Sequence, residues 1–214
     1  MKTRILIVDD HPIVRRGLAA TLSAAGDFEV SGEASDGDEA IAKVRVGKPD
    51  LVLLDLSLPG KNGLEVLGLL HAEMPEVKVL VLSTFPEKQY AIRCFASGAM
   101  GYLTKKSAPE ELVQAIRKVA GGGKYVSASL ADLLANQIGG DPRLLPHERL
   151  STREFQVLCM IGEGKSVSQV AKELSLSPST VNTYRAHILE KMNLETTAEL
   201  IQYVLQNKLV ESPQ

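Results

Sequence analysis

The sequence has no long apolar run. None approaches the ~20 residues a bilayer-spanning helix needs. Met1-Lys2-Thr3-Arg4 leads into only Ile5–Val8 before Asp9, too short for the apolar region of a secretory signal. The expectation is a cytoplasmic protein without a membrane partner. Cysteine is scarce: Cys94 and Cys159 lie far apart inside helical patterns, and neither has a His or Cys at metal-ligand spacing. That excludes a disulfide scaffold and a zinc site, and leaves two reduced, core or semi-buried thiols. An excess of positive charge is missing too. The net charge is -2, and residues 148–214 hold seven Lys/Arg against eight Glu. Nucleic-acid binding must therefore be argued from motif and placement, not from bulk basicity. There is no internal repeat and no low-complexity tract.

What is present is an ordinary globular composition of 44% hydrophobic and 23% charged residues over 214 positions, enough for one or two domains. Up to about residue 120, short runs of Val, Ile and Leu alternate with helical patterns. The runs are Ile5–Val8, Phe28–Val30, Leu51–Leu54, Val77–Leu82 and Gly101–Leu103. The helical stretches lie near 12–25, 36–46, 63–73, 87–97 and 109–120. Continuous apolar runs suit strands buried on both faces. Five strand-then-helix units predict an α/β fold, a doubly wound five-stranded parallel sheet with right-handed crossovers. After Gly121-Gly122-Gly123 the texture changes. One short helix near 128–138 is followed by Gly139-Gly140-Asp141-Pro142 and Pro146, an aperiodic stretch that reads as a linker. From Leu150 onward strands vanish and four helical patterns follow, near 152–162, 167–174, 178–192 and 196–207. The expected organisation is 1–122, a linker 123–147 with one short helix, and an all-α unit 148–214.

In a doubly wound sheet, ligands bind outside the carboxyl ends of the strands. Here those ends are polar: Val8-Asp9-Asp10, Leu54-Asp55, Leu82-Ser83 and Leu103-Thr104-Lys105. Convergent carboxylates repel unless a cation compensates. Mg²⁺ suits them, because it takes a few carboxylate oxygens, waters and phosphate oxygens. Three carboxylates, a hydroxyl and an ammonium at one sheet edge are a phosphoryl-transfer constellation. A carboxylate can attack a phosphoryl group and hold it as an acyl phosphate, and Asp55, on the central predicted strand, is the best-placed nucleophile. Ser83 and Lys105 can bind the remaining oxygens.

Residues 1–120 resemble a response-regulator receiver domain. The matching pieces are Val8-Asp9-Asp10-His11, Leu54-Asp55-Leu56-Ser57-Leu58-Pro59-Gly60, Leu82-Ser83, and Gly98-Ala99-Met100-Gly101-Tyr102-Leu103-Thr104-Lys105. The resemblance implies a flavodoxin-like fold, Asp55 as phospho-acceptor, and Mg²⁺ held by Asp10, Asp9, Asp55 and the Ser57 backbone carbonyl. It makes Ser83 and Tyr102 the switch pair and Lys105 the phosphoryl-binding cation. Tyr102 is expected to turn inward on phosphorylation. Lys106 departs from the family, standing where many receivers have proline.

In the second half, Ser151 and Glu154 form a capping box ahead of Phe155, Leu158, Cys159 and Gly162. Ser177-Pro178 opens another helix, with Val181, Ile188, Leu189 and Met192 as its apolar stripe. Its other side carries Ser179, Asn182, Thr183, Ala186 and Glu190. Helix, turn and helix with a polar outer face fits the major groove of DNA. Asn182 and Thr183 lie where base edges are read, and Ser177, Thr180, Arg185 and Lys191 could hold phosphates. Residues 150–210 resemble the LuxR-type domain of the NarL/FixJ class of response regulators. The matching residues are Leu150-Ser151-Thr152-Arg153-Glu154, Gly164-Lys165-Ser166, Val170-Ala171, Leu176-Ser177-Pro178-Ser179-Thr180-Val181 and Leu189-Glu190-Lys191-Met192. The resemblance puts base contacts on Asn182, Thr183 and Ala186, the last a departure because many relatives carry a cation there. Surplus apolar residues near 196–207 leave room for a dimer face, or for one wide core stripe.

The two resemblances together imply a phosphorylation-controlled transcription factor, not a turnover enzyme. Its partners would be a histidine kinase, double-stranded DNA and a second copy of itself. Three rivals are weighed. An aspartyl-phosphate hydrolase needs a second acid two residues after its nucleophile, and that position is Ser57. A flavodoxin-like cofactor binder needs a phosphate cradle after the first strand, where Asp9-Asp10-His11 would repel one. A phospho-switched adaptor would use the same helices to bind protein.

Overall fold

The computed structural model describes residues 2–128, 130–131, 145–207 and 209–210, the side chains of 88, 89, 148 and 152 excepted. The chain divides into two compact units, Met1–Gly139 and Gly140–Gln214.

The first unit runs β1 (Thr3–Val8), α1 (Pro12–Ala25), β2 (Phe28–Ala34), α2 (Gly37–Gly47), β3 (Leu51–Leu54), α3 (Gly63–Glu73), β4 (Lys78–Ser83), α4 (Glu87–Ala96), β5 (Gly101–Thr104) and α5 (Pro109–Ala120). All strand pairs are parallel, in the order β2-β1-β3-β4-β5. The order reverses between β1 and β3, so the crevice at their carboxyl ends is the topological switch point where this fold binds ligands. Strand side chains alternate between faces. Ile5, Ile7, Leu51, Leu53, Leu80, Leu82 and Leu103 join Leu22 of α1 and Leu112, Ala115, Ile116 and Val119 of α5 in one core. Leu6, Val8, Val52, Leu54, Val79 and Val81 point the other way and are equally buried; α2, α3 and α4 fall to that face. Each large side chain fully buried contributes roughly 1.5–3 kcal/mol, which makes the sheet a stiff platform for its polar ends.

The elements follow local chemistry. Helix α5 has Pro109 in its first turn with Glu110 and Glu111, and Arg117 and Lys118 in its last, complementing the helix dipole at both ends. Asn62 and Glu65 form a capping box at the start of α3. Gly26 ends α1 in the left-handed conformation, at φ 81°.

The structure corrects the sequence reading in three strands. Strand β2 continues to Ala34, because Ser31-Gly32 is a bulge and not a turn: Ile5 pairs with Val30, but Leu6 pairs with Gly32. Strands β4 and β5 extend through Ser83 and Thr104, so these polar residues are still paired to each other. The helix expected at 128–138 lies mostly outside the described residues, though Ala128, Leu130 and Ala131 are helical. Ahead of it, residues 124–127 lie along the sheet edge. Tyr125 bridges Gly101, and its N–H donates to the Met100 carbonyl at 2.8 Å.

The second unit holds a 3₁₀ turn at Pro146–Arg149, where an aperiodic linker was expected, then α6 (Thr152–Gly162), α7 (Val167–Glu173), α8 (Pro178–Met192) and α9 (Thr197–Gln206). His147 in that turn is buried and lies 2.9 Å from the Tyr203 hydroxyl of α9. Val170, Val181, Ile188, Met192, Leu200 and Val204 form the interior with α6. Gly162 lets α6 and α9 meet closely: a Cβ there would fall 2.3 Å from Val204. No helix among the described residues is long and apolar enough to cross a membrane.

Candidate functional site

The backbone ladder runs on past two strands into their acids. The Asp9 N–H donates to Ala34 at 3.1 Å and the Asp55 N–H to Val8 at 2.9 Å, which fixes both residues at the switch point. Each is only 2% exposed. The Lys105 N–H, bonded to the Ser83 carbonyl at 2.8 Å, aims the lysine across the same edge. Its Nζ lies 2.6 Å from Oδ2 of Asp9 and 2.6 Å from Oδ2 of Asp55. The opposite oxygens take backbone donors, His11 N on Asp9 Oδ1 at 2.8 Å and Ser57 N on Asp55 Oδ1 at 3.2 Å. The pocket thus has an ammonium on the Oδ2 side and carboxylate lone pairs on the Oδ1 side.

Charge in this place is costly. Burial pushes the Asp55 carboxyl above its ordinary value, and the Lys105 ammonium only partly offsets it, with Asp9 adding repulsion. Burial also weakens the Lys105 charge, but Asp55 and Asp9 outweigh it and hold the ammonium above its ordinary value. The cluster is three acids against one half-buried lysine. Asp9, Asp10, His11 and Asp55 each offer a ligand atom, all within 4.8 Å of one another. Oδ1 of Asp10 is buried and makes no hydrogen bond. The His11 Nδ1 lies 2.6 Å away, but out of hydrogen-bonding line. An orphaned carboxylate oxygen beside two more acids fits a hard divalent cation.

Ser83 and Tyr102 are both fully buried. The Tyr102 hydroxyl donates to the Phe85 carbonyl at 2.8 Å, and the Phe85 N–H donates to Ser83 Oγ at 3.3 Å. The Phe85 backbone thus links the two side chains. Burial lifts the Tyr102 phenol well above its ordinary value, so it stays a donor. Tyr102 was expected to swing inward on activation; it is inside already. Thr84, the next residue after Ser83, is exposed.

Two supporting residues escaped the sequence reading. Gly63 sits under the acceptor loop, and a Cβ there would lie 2.1 Å from the Asp55 carbonyl oxygen and 2.6 Å from Leu56 Cα. Asn62, 2% exposed, caps α3 through bonds from Leu64 and Glu65 N–H, both at 3.0 Å. The available signal was the capping grammar of Asn62-Gly63-Leu64-Glu65.

In the second unit α7, the turn at Ser175 (φ 53°) and α8 form the helix-turn-helix. Ser177 caps α8 by accepting from the Thr180 N–H at 3.1 Å, and its hydroxyl meets those of Ser179 and Thr180 at 2.7 and 2.8 Å. Ser179, Asn182, Thr183 and Ala186 are exposed together along α8, with Arg185 and Thr180 half-buried beside them. The Thr183 hydroxyl bonds back to the Ser179 carbonyl at 3.1 Å. Lys191 does not join this row as an uncommitted cation. Its Nζ lies 2.8 Å from both oxygens of Glu154, a carboxylate 3% exposed.

Comparison with known proteins agrees with both halves. The response regulator receiver domain family matches residues 5–117, and the luxR family of bacterial regulatory proteins matches residues 148–204. The chain is 36% identical to the response regulator UvrY of Escherichia coli (strain K12) over 206 residues, covering 96% of this chain and 94% of that one. It is 37% identical to the response regulator GacA of Pseudomonas aeruginosa over 210 residues, covering 98% of each. Among solved structures it is similar to that of two RcsB dimers bound to two parallel DNAs, at 25% identity and a TM-score of 0.59, covering 96% of this chain and 98% of that one.

Proposed function

The chain belongs to the two-component response regulators with a LuxR-type DNA-binding domain, and from that premise we propose that a phosphoryl group stored on Asp55 controls how this chain pairs and binds DNA. The observation that carries the reading is the placement of Asp9, Asp55 and Lys105 within 2.6 Å contacts at the switch point of the sheet. The proposed division is a receiver at 1–122, a linker at 123–147 and a DNA-binding domain at 148–214. The donor is a histidine kinase or a small acyl phosphate, and the chain works in the cytoplasm beside its DNA.

A carboxylate oxygen of Asp55 attacks phosphorus, the bond from phosphorus to the donor breaks, and the donor leaves with that electron pair. Asp9, Asp10, Asp55 and the Ser57 carbonyl would hold Mg²⁺, which would supply positive charge to offset that of the phosphoryl oxygens. Lys105 keeps Asp55 ionised before attack and binds a phosphoryl oxygen afterwards. Ser83 turns to donate to another, which takes the acceptor from the Phe85 N–H and loosens the loop before α4. Ser57 stands where a hydrolase would place its second acid, so the phosphorylated chain is the product and not an intermediate of turnover. In the second domain Asn182, Thr183 and Ala186 face base edges, while Ser177, Ser179, Thr180 and Arg185 approach phosphates. Lys191 reaches a phosphate only by loosening its pair with Glu154. A domain this small makes few phosphate contacts, so pairing of two copies raises affinity through linkage. Leu205 of α9, 44% exposed, extends an apolar row onto the surface and supports a dimer face there.

Intact-mass measurement after treatment with an acyl phosphate and Mg²⁺ tests the reading. The wild type gains one phosphoryl group and shows tighter DNA binding, whereas Asp55→Asn gains neither. A phosphoryl group that persists in Asp55→Asn, or that never appears in the wild type, overturns it.

A further inference from the structure

We propose that Glu87 is a positioning residue that passes the state of the acceptor site to the linker, by holding the hydroxyl that caps the linker's helix. The inference rests on the phospho-acceptor reading and adds a route outward from it.

The route starts at Phe85, whose N–H donates to Ser83 Oγ and whose carbonyl accepts from the Tyr102 hydroxyl. Two residues later Glu87 opens α4, behind Pro86, a cap position with no side-chain hydrogen bond. The Ser127 hydroxyl donates to Glu87 Oε2 at 2.6 Å. Ser127 Oγ in turn accepts the Leu130 N–H at 3.1 Å, and the Ser127 carbonyl accepts the Ala131 N–H at 3.0 Å. Ser127 is therefore the N-cap of the helical turn at 128–131. A serine hydroxyl has one proton. Giving it to Glu87 turns the lone pairs toward the Leu130 N–H, so the carboxylate orients the cap. One negative charge thus serves the N-termini of two helices, α4 and the linker helix, where it is favourable for both.

The rest of the segment is fastened to other elements. Tyr125 bonds to Met100 and bridges β5 through its backbone. Its hydroxyl donates to Glu111 of α5 at 2.9 Å. Leu130 is fully buried. The strap is thus anchored on β5 and α5, while its helix cap is tied to the head of α4. When Ser83 turns to a phosphoryl oxygen the Phe85 N–H loses its acceptor, the head of α4 shifts against β5, and Glu87 draws away from Ser127. The linker helix loses its cap while Tyr125 stays in place.

Amide hydrogen exchange of residues 127–131 in the full chain tests this, with and without Mg²⁺ and beryllofluoride as the phosphoryl analogue. Fluorine NMR reports whether the analogue is bound. In the wild type and in Ser127→Thr, which keeps the hydroxyl, loading accelerates exchange about fivefold, the size of a lost N-cap. In Ser127→Ala exchange is fast in both states and the response disappears, although the analogue still binds. Unchanged wild-type exchange with the analogue bound, or a preserved response in Ser127→Ala, overturns the proposal. A wild type that binds no analogue overturns the acceptor reading itself, and this route with it.

Discussion

A methyl group does most harm at Gly63. The α3 N-terminus passes directly beneath the Asp55–Leu56 backbone, and the nearest obstacles to a Cβ are main-chain atoms, which have no rotamer to retreat into. Gly63→Ala is expected to cost at least about 2 kcal/mol by overpacking and to slow phosphorylation by displacing the nucleophile. Gly68 in the same helix has nothing within 4 Å of its would-be Cβ, so Gly68→Ala should instead stabilise by about 0.5–1 kcal/mol. Urea melts of the two variants should move in opposite directions, and a shared direction would remove the steric account. The acids themselves were legible in the sequence because polar residues ended apolar runs, and strand ends converge in this fold whatever the loops do. Gly63 was not legible: its constraint is a contact between a loop and a helix start, and no periodicity records that. The pairing of Lys191 was not legible for the same reason, since its partner Glu154 lies 37 residues away.

At the level of elements, Glu154 joins two functions. Its carboxylate accepts from the Ser151 N–H at 2.7 Å, completing the cap of α6, and grips Lys191 of α8. Burial raises the Glu154 pKa, but the bonds from Lys191 and Ser151 win and hold it below the ordinary 4.5. A carboxyl with a lowered folded-state pKa stabilises fully above its unfolded value and loses that share as pH falls through the folded one. Acid unfolding of the second unit should therefore begin below about pH 4.5 in the wild type. Lys191→Met should start the loss at higher pH and cost about 1 kcal/mol at neutral pH, a value discounted because the lysine is half exposed. Circular dichroism during acid titration of the full chain checks both, and identical acid midpoints would break the link. The Ser151–Glu154 box was readable because its spacing is local. The boxes at Ser166–Gln169 and Thr196–Glu199 obey the same grammar. The β2 bulge was not readable, since Ser-Gly spells a turn locally and only pairing with β1 turns it into a strand.

Across the whole molecule, two units of different architecture share one chain, and the shift from strand-helix alternation to helices alone announced them. Charge announced nothing: the net charge is -2, so the field of the whole protein does not point to DNA. A consequence remains in the strand-like contact of Tyr125 with Gly101. It covers main-chain donors and acceptors that β5 would otherwise present along its outer border, the kind of naked border that recruits sibling chains into ribbons. A shortened chain ending at Gly123 should therefore cluster in light scattering, while one reaching past Ala131 stays dispersed. The stretch that leads toward the DNA-binding half also acts as the guard rail that keeps the first half from sticking to its own copies.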